Sequence, residues 1–177
     1  EPDDTEIYSA TREDGIGKRE QFGIYSALRL QLADPLKLVV GARASWFRMG
    51  WDTYTAGSAP SVQRTRENAK VNPYAGLIYD ISPQWSAYVT YADIFQPQSQ
   101  QNQAGAMLKP ILGSNYEAGL VGELMNGKVN TALALFRIDQ KHRAQVDNST
   151  GPPCRSNYYC YTDTGEVRSQ GLDADIS

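Results

Sequence analysis

The single histidine, His142, stands between Lys141 and Arg143 and is the first residue to test for chemistry. Nucleophilic catalysis would need a Ser or Cys activated by that imidazole and an acid to orient it. No such pair lies nearby in sequence, although a triad can be spread widely, and a solvated loop histidine accounts for the residue. Gly15-Ile16-Gly17-Lys18 resembles a clipped phosphate loop. The spacing and the following Ser or Thr are missing, so it reads as ordinary loop. Glu117 and Glu123 share one strand face about 20 Å apart, too far for a glycosidase acid and base. Asp173 and Asp175 flank one residue on one face, which suits either a hard cation or the polar interior of a barrel. Cys154 and Cys160 sit in a polar loop with Pro152 and Pro153. They form either a small disulfide, as oxidising compartments allow, or two unrelated thiols. A CxxC motif is absent, and one histidine cannot complete a zinc site. The sequence therefore assigns no catalytic residue, no metal ligand and no enzyme.

The elements that carry these residues are strands. Phe22, Ile24, Ser26, Leu28, Leu30 and Leu32 alternate with Gln21, Gly23, Tyr25, Ala27, Arg29 and Gln31, a period of two. Asp34-Pro35 turns the chain. A second strand, Lys37 to about Phe47, shows Leu38, Val40, Ala42, Ala44 and Trp46 on one face. A long polar loop is expected over roughly 49–69. The third strand runs from Val71 to Ile81, with Pro73 near its start, where proline is tolerated. Ser82-Pro83-Gln84 leads into a fourth, Trp85 to Phe95, and a Gln-rich loop follows to about Gly113. Asn115 to Leu124 and Val129 to about Gln140 read as a hairpin joined at Asn126-Gly127. The apolar run 132–136 leaves the facing of the sixth strand ambiguous, and Thr131, Leu133 and Leu135 are assigned outward. After the cysteine loop a seventh strand spans 167–177.

Short turns and long loops thus fall at opposite ends of successive strands, the pattern of an outer-membrane barrel. Strands of about twelve residues extend roughly 40 Å, or about 28 Å in height at a 45° tilt, enough to cross a hydrocarbon core. Aromatic residues collect near both ends of the outward face: Tyr79 and Trp85 beside a turn, Trp46, Tyr91 and Tyr116 toward the loops. Two such belts suit two interfaces. Hydrophobic residues make up 41% of the 177-residue chain, with no apolar run long enough for a spanning helix; barrel strands need none, because only alternate residues meet lipid. The formal net charge of −3 argues against nucleic acid as a partner. The competing readings are a soluble all-β carbohydrate-binding or adhesion module and a non-specific porin.

Several stretches together resemble the barrel of TonB-dependent ferric-siderophore receptors, in the coprogen and pyoverdine branch. They are Ile24-Tyr25-Ser26 with Leu32-Ala33-Asp34 and Gly41-Ala42-Arg43; 73–80, PYAGLIYD; 86–98, SAYVTYADIFQPQ; Leu108-Lys109-Pro110 through 115–119, NYEAG; and 134–140, ALFRIDQ. The resemblance covers nearly the whole chain from about residue 20, and the order and spacing of the pieces make it fairly specific. It implies an all-β, antiparallel up-and-down meander of about seven strands, part of a 22-stranded transmembrane barrel. Residues 1–19 would be an extracellular loop and 20–177 a partial barrel, without the plug and the remaining strands. A plug of about 150 residues and a signal sequence would precede it in the gene. The location implied is the outer membrane of a Gram-negative bacterium, crossed several times. Partners would be outer-membrane lipid, a ferric siderophore as transported ligand rather than cofactor, and the TonB complex through the plug. The siderophore would be held by aromatic faces, a few hydrogen bonds and arginine charge. Candidates are Trp51, Tyr54, Phe95, Arg143, Tyr158, Tyr159 and Tyr161, with Phe47 and Arg64 adding contacts; each also suits a role as interface anchor or loop packing. An isolated fragment would expose two sheet edges and self-associate.

Overall fold

The computed structural model describes residues 13–55, 59–149 and 159–177. They form one antiparallel sheet of seven strands in chain order. The strands are β1 (Glu13–Ala33), β2 (Leu36–Thr55), β3 (Ser61–Asp80), β4 (Trp85–Gln96), β5 (Ile111–Leu124), β6 (Val129–Val146) and β7 (Tyr161–Ile176). Each strand pairs only with its sequence neighbours, and β1 does not meet β7, so the sheet is open.

Register decides which residues share a face. Leu28 pairs with Val40, which pairs with Ala75; Leu77 with Val89, Val89 with Ala118, Ala118 with Leu135 and Leu135 with Leu172. One continuous apolar face results. It includes Leu133 opposite Leu120, which resolves the ambiguous sixth strand with Leu133 and Leu135 outward. Among the described residues nothing covers this face: Leu28 is 54% exposed and Leu133 47%. A sandwich would have buried these side chains between two layers, so the single sheet eliminates the soluble-module fold. From Leu36 to Trp46 the apolar stripe of β2 extends roughly 34 Å, about 24 Å in height at a 45° tilt, the height of a barrel's lipid band.

The opposite face is polar and locally paired. Tyr88 donates to the Glu117 carboxylate at 2.6 Å. Asp80 accepts from the Ser86 hydroxyl at 2.8 Å and is ion-paired with Lys37. On this face Tyr74 stands directly across from Gly41, Tyr88 from Gly119 and Phe136 from Gly171. Each ring occupies the space a side chain at the glycine would fill; a Cβ on Gly119 would lie 2.7 Å from the Tyr88 ring. Glycine lets the ring lie along the neighbouring strand. Gly119→Val is expected to destabilise the sheet by about 1–3 kcal/mol through overpacking, measured by urea unfolding of the complete receptor in vesicles. Gly113, whose absent Cβ would run into the Asp139 carbonyl, needs its glycine against backbone rather than a ring.

Several boundaries differ from the sequence expectation. β1 begins at Glu13, so Gly15-Ile16-Gly17-Lys18 is paired strand rather than loop. The long loop expected over 49–69 is mostly the continuation of β2 and β3, which pair out to Thr53 and Ser61. Pro73 therefore lies deep inside β3. It sits one residue beyond the Tyr74–Ala92 pair, where the ladder to β4 ends, so its missing N–H costs no bond on that side. A bulge between Ser45 and Phe47 places Ala69 at φ 48. A second bulge region, past Gln140, places His142 at φ 62. β6 and β7 likewise run farther than expected, to Val146 and from Tyr161.

Candidate functional site: the inward face at the loop end

Among the described residues Phe47 is the largest fully buried side chain, 1% exposed, although it stands on a single-layer sheet. Register puts it beside Gln21 and Glu67 on the polar, inward face. The segment joining β4 to β5 lies against it. Phe47, Arg19 and Met49 share an open cavity of about 350 Å³ with Gln96, Gln98, Gln100, Ile111 and Arg143. The Arg19 guanidinium sits over the Phe47 ring, 5.1 Å from its centre, an attractive cation–ring geometry. Leu108 and Ile111 are buried with it. The arrangement presents apolar surface, amide groups and two guanidinium groups to whatever enters from the loop end, a combination suited to an amphipathic anionic ligand.

The glutamines of the Gln-rich loop hold this segment in place. The Gln98 amide donates to the carbonyls of Lys109 and His142, at 2.5 and 2.7 Å, and its oxygen accepts from the N–H of Ala144 at 3.2 Å. It thereby ties the segment to the β6 bulge. Gln101 bridges to Met107, and its carbonyl accepts the Tyr161 N–H at 2.9 Å. Gln103 donates to Asp147 at 2.8 Å. The His142 ring is half-buried, and its Nδ1 has no hydrogen-bond partner among the described residues.

Asp147 also accepts from the Ser149 hydroxyl and N–H, at 2.5 and 3.0 Å. The Ser149 hydroxyl, its N–H and then Gln103 favour the carboxylate, holding Asp147 below its ordinary value of 3.8. A depressed carboxyl stabilises the folded form above its unfolded pKa and loses that contribution as pH falls through the folded value. Amide exchange in 100–106 is therefore expected to show no loosening from this group between pH 7 and 5, and loosening only below about pH 3.8. Loosening already at pH 5 would contradict the assignment.

The sequence-selected residues separate into groups. Arg143 lines the inward cavity and donates to Gln140 at 2.9 Å. Tyr161 is half-buried at the start of β7, and Tyr159 is exposed. Phe95 and Tyr54 have the parity of the outward face, with Phe95 four residues beyond Tyr91 on β4. Trp51 pairs along the backbone with Gly17 and Gln63. Arg64 pairs with Asp52 on the outward side. Tyr158 and Cys154 lie outside the described residues. Cys160 is buried and disulfide-bonded; the sequence contains one other cysteine, Cys154. Arg19 and Gln98 were not selected from sequence. The signal was available for Arg19, which shares a strand face with Gln21.

Known proteins of similar sequence and fold place this single layer, with its one apolar and one polar face, in a family. The model of the TonB dependent receptor-like β-barrel family matches residues 1–177. The chain belongs to that family. It is 40% identical over 162 residues to the ferric-pyoverdine M114 receptor PbuA of Pseudomonas sp. strain M114, covering 89% of this chain and 19% of that one. It is 33% identical over 164 residues to the ferripyoverdine receptor of Pseudomonas aeruginosa, covering 90% and 19%. Among solved structures it resembles the alcaligin outer-membrane receptor FauA of Bordetella pertussis, with TM-score 0.73 and 34% identity over 92% of this chain and 28% of that chain. It also resembles the P. aeruginosa ferripyoverdine receptor bound to ferripyoverdine, with TM-score 0.68 and 31% identity over 90% and 20%. The chain thus spans about a fifth of the length of the curated relatives it matches. These relatives are receptors by name, not enzymes.

Proposed function

We propose that this segment is part of the wall of an outer-membrane barrel that takes up a ferric siderophore of the pyoverdine type, driven through the TonB complex. The observation that carries the reading is the division of the sheet: an uncovered apolar face of membrane height, backed by an inward face with a cation-and-aromatic cavity at its loop end. The names of the relatives support the ligand class. Arg19, Phe47, Gln98 and Arg143 would meet the siderophore shell, with Tyr159 and Tyr161 beside them. The iron stays inside the siderophore, so no protein ligand to the metal is needed. A disulfide between Cys160 and Cys154 would tie together the segment that joins β6 to β7.

The test is uptake of radiolabelled ferric pyoverdine by cells that carry or lack the complete gene. Uptake should depend on the gene and on an energised TonB complex. Passive entry of unrelated small solutes at the same rate would instead indicate an open pore.

The unpaired edges of β1 and β7 make a separate prediction. Prepared alone in buffer, residues 1–177 should associate edge to edge, giving oligomers by light scattering. A monomer with a cooperative melt would contradict the barrel-wall reading.

A further inference from the structure

Between the cavity and the turn end, the inward face divides by charge. On β4–β7 it carries Glu117, Glu123, Asp173 and Asp175, and no lysine or arginine among the described residues. On β1–β3 the sign reverses. Register sets Lys70, Arg43, Arg29 and Lys37 on the inward side, in that order toward the turn end. Lys37 is ion-paired with Asp80. Glu67 stands one row nearer the loop end than Lys70. Neither Arg43 nor Lys70 has an ion-pair partner among the described residues.

The middle of this basic wall is a single row, in which Tyr25, Arg43 and Asn72 face one another on adjacent strands. Lys70 occupies the next row, about 7 Å along the strand toward the loop end, paired with Ser45, which in turn pairs with Gly23. The Arg43 side chain lies across Gly23, where an added Cβ would stand 3.1 Å from its Nε and 3.2 Å from its Nη2. The guanidinium is therefore laid along the wall toward the Lys70 row. Beside it the Asn72 Nδ2 is buried and has no hydrogen-bond partner among the described residues. A buried donor without an acceptor is costly to keep. Two cations and an unsatisfied amide thus meet at one level, and what that level lacks is an acceptor.

We propose that Arg43 and Lys70, with Tyr25 and Asn72, form a second station for the ferric siderophore on the barrel wall, and that the ligand descends past β1–β3 rather than past β5–β7. Groups that hold a metal ion must be deprotonated, so the complex presents anionic oxygens, which a guanidinium and an ammonium attract. Arg19, in the entry cavity, is six residues from Tyr25 along β1, about 14 Å of height at a 45° tilt. Arg29 follows four residues farther, about 9 Å lower, ahead of the Lys37–Asp80 pair. In a narrow passage a wall of one sign concentrates the opposite charge along itself, and the carboxylates of β5–β7 repel the same ligand. The inference rests on the uptake function proposed above and assigns the side of the lumen that serves it.

The experiment uses cells carrying the complete receptor, as wild type and as Arg43→Gln/Lys70→Gln, with radiolabelled ferric pyoverdine as the probe. Surface binding is measured in de-energised cells and uptake in energised ones, both per receptor in the membrane. The double variant should bind within twofold of wild type and take up the ligand at least tenfold more slowly. Arg43→Lys should keep at least half of the wild-type rate, and Asp175→Asn, on the acidic wall, should not slow uptake. Passive entry of vancomycin, followed in the same cells, should be the same for the double variant as for wild type. If the double variant fails to assemble, Arg43→Gln alone serves for the same comparison. Uptake at the wild-type rate, or a loss of uptake matched by an equal loss of surface binding, would overturn the proposal. Increased vancomycin entry would overturn it too, because the cations would then be holding a plug in place rather than meeting the ligand. A wild type that takes up no ferric pyoverdine rejects the functional reading as well. A wild type that does, beside an unimpaired double variant, rejects this inference alone.

Discussion

Val89→Arg in the complete receptor is expected to destabilise the barrel by about 2–4 kcal/mol, the cost of a cation facing lipid near the bilayer midplane. Val89 is 52% exposed on the uncovered face, between Leu77 and Ala118. The neighbouring substitution Thr90→Arg supplies the contrast. Thr90 faces inward opposite Glu117, so the new cation would gain a carboxylate partner and remain in the polar lumen. Urea unfolding of the receptor in vesicles should separate the two by at least about 2 kcal/mol. Equal costs would mean that the two faces are not lipid and lumen. No other single comparison tests the face assignment as directly, because adjacent residues of one strand reverse their surroundings while sharing every other feature.

The second large effect is expected at Phe47→Ala. Truncating a fully buried phenylalanine costs about 3–5 kcal/mol where the surroundings cannot collapse. Here the loss should be local, because Phe47 supports the segment between β4 and β5 rather than the sheet beneath it. The Arg19 contact and the cavity wall shared with Ile111 would go together. We expect amide exchange to accelerate in 97–110 while the pairs Leu77–Val89 and Ala118–Leu135 keep their protection. Ferric-pyoverdine affinity should fall at least tenfold. Undiminished affinity with a loosened loop would separate the packing role from ligand contact.

The membrane part of this fold was legible because water and lipid act on alternate residues. Phe22 through Leu32 and Leu38 through Trp46 carry that alternation without interruption, and both stripes lie on one face in the structure. Above the lipid both faces meet water, so nothing forces alternation. Residues 49–69 therefore look like loop, although pairing continues β2 to Thr55 and starts β3 at Ser61. There β-structure depends on pairing rather than on residue type. The sixth strand was ambiguous for the complementary reason: Ala132 and Ala134 face inward, and they are apolar where a lumen residue is usually polar. Small size, with Ala134 buried, explains their place better than hydrophobicity. The candidate site was half legible. Arg143 belongs to it, but Phe47 is its centre and Gln98 its fastening. A side-chain amide that satisfies three backbone groups leaves no periodic mark in a sequence. Ring-on-glycine pairs such as Tyr88 with Gly119 become visible only once register is known.

Unequal strand length gives the molecule a profile. With 20 residues, β2 and β3 each reach roughly 47 Å in height at a 45° tilt, whereas the 12 residues of β4 reach about 28 Å. The 18 residues of β6 rise nearly as far on the other side, so the rim dips at β4, where that strand gives way to the glutamine-fastened segment. In the receptor proposed above, that notch would give a bulky ligand its lowest approach to the cavity.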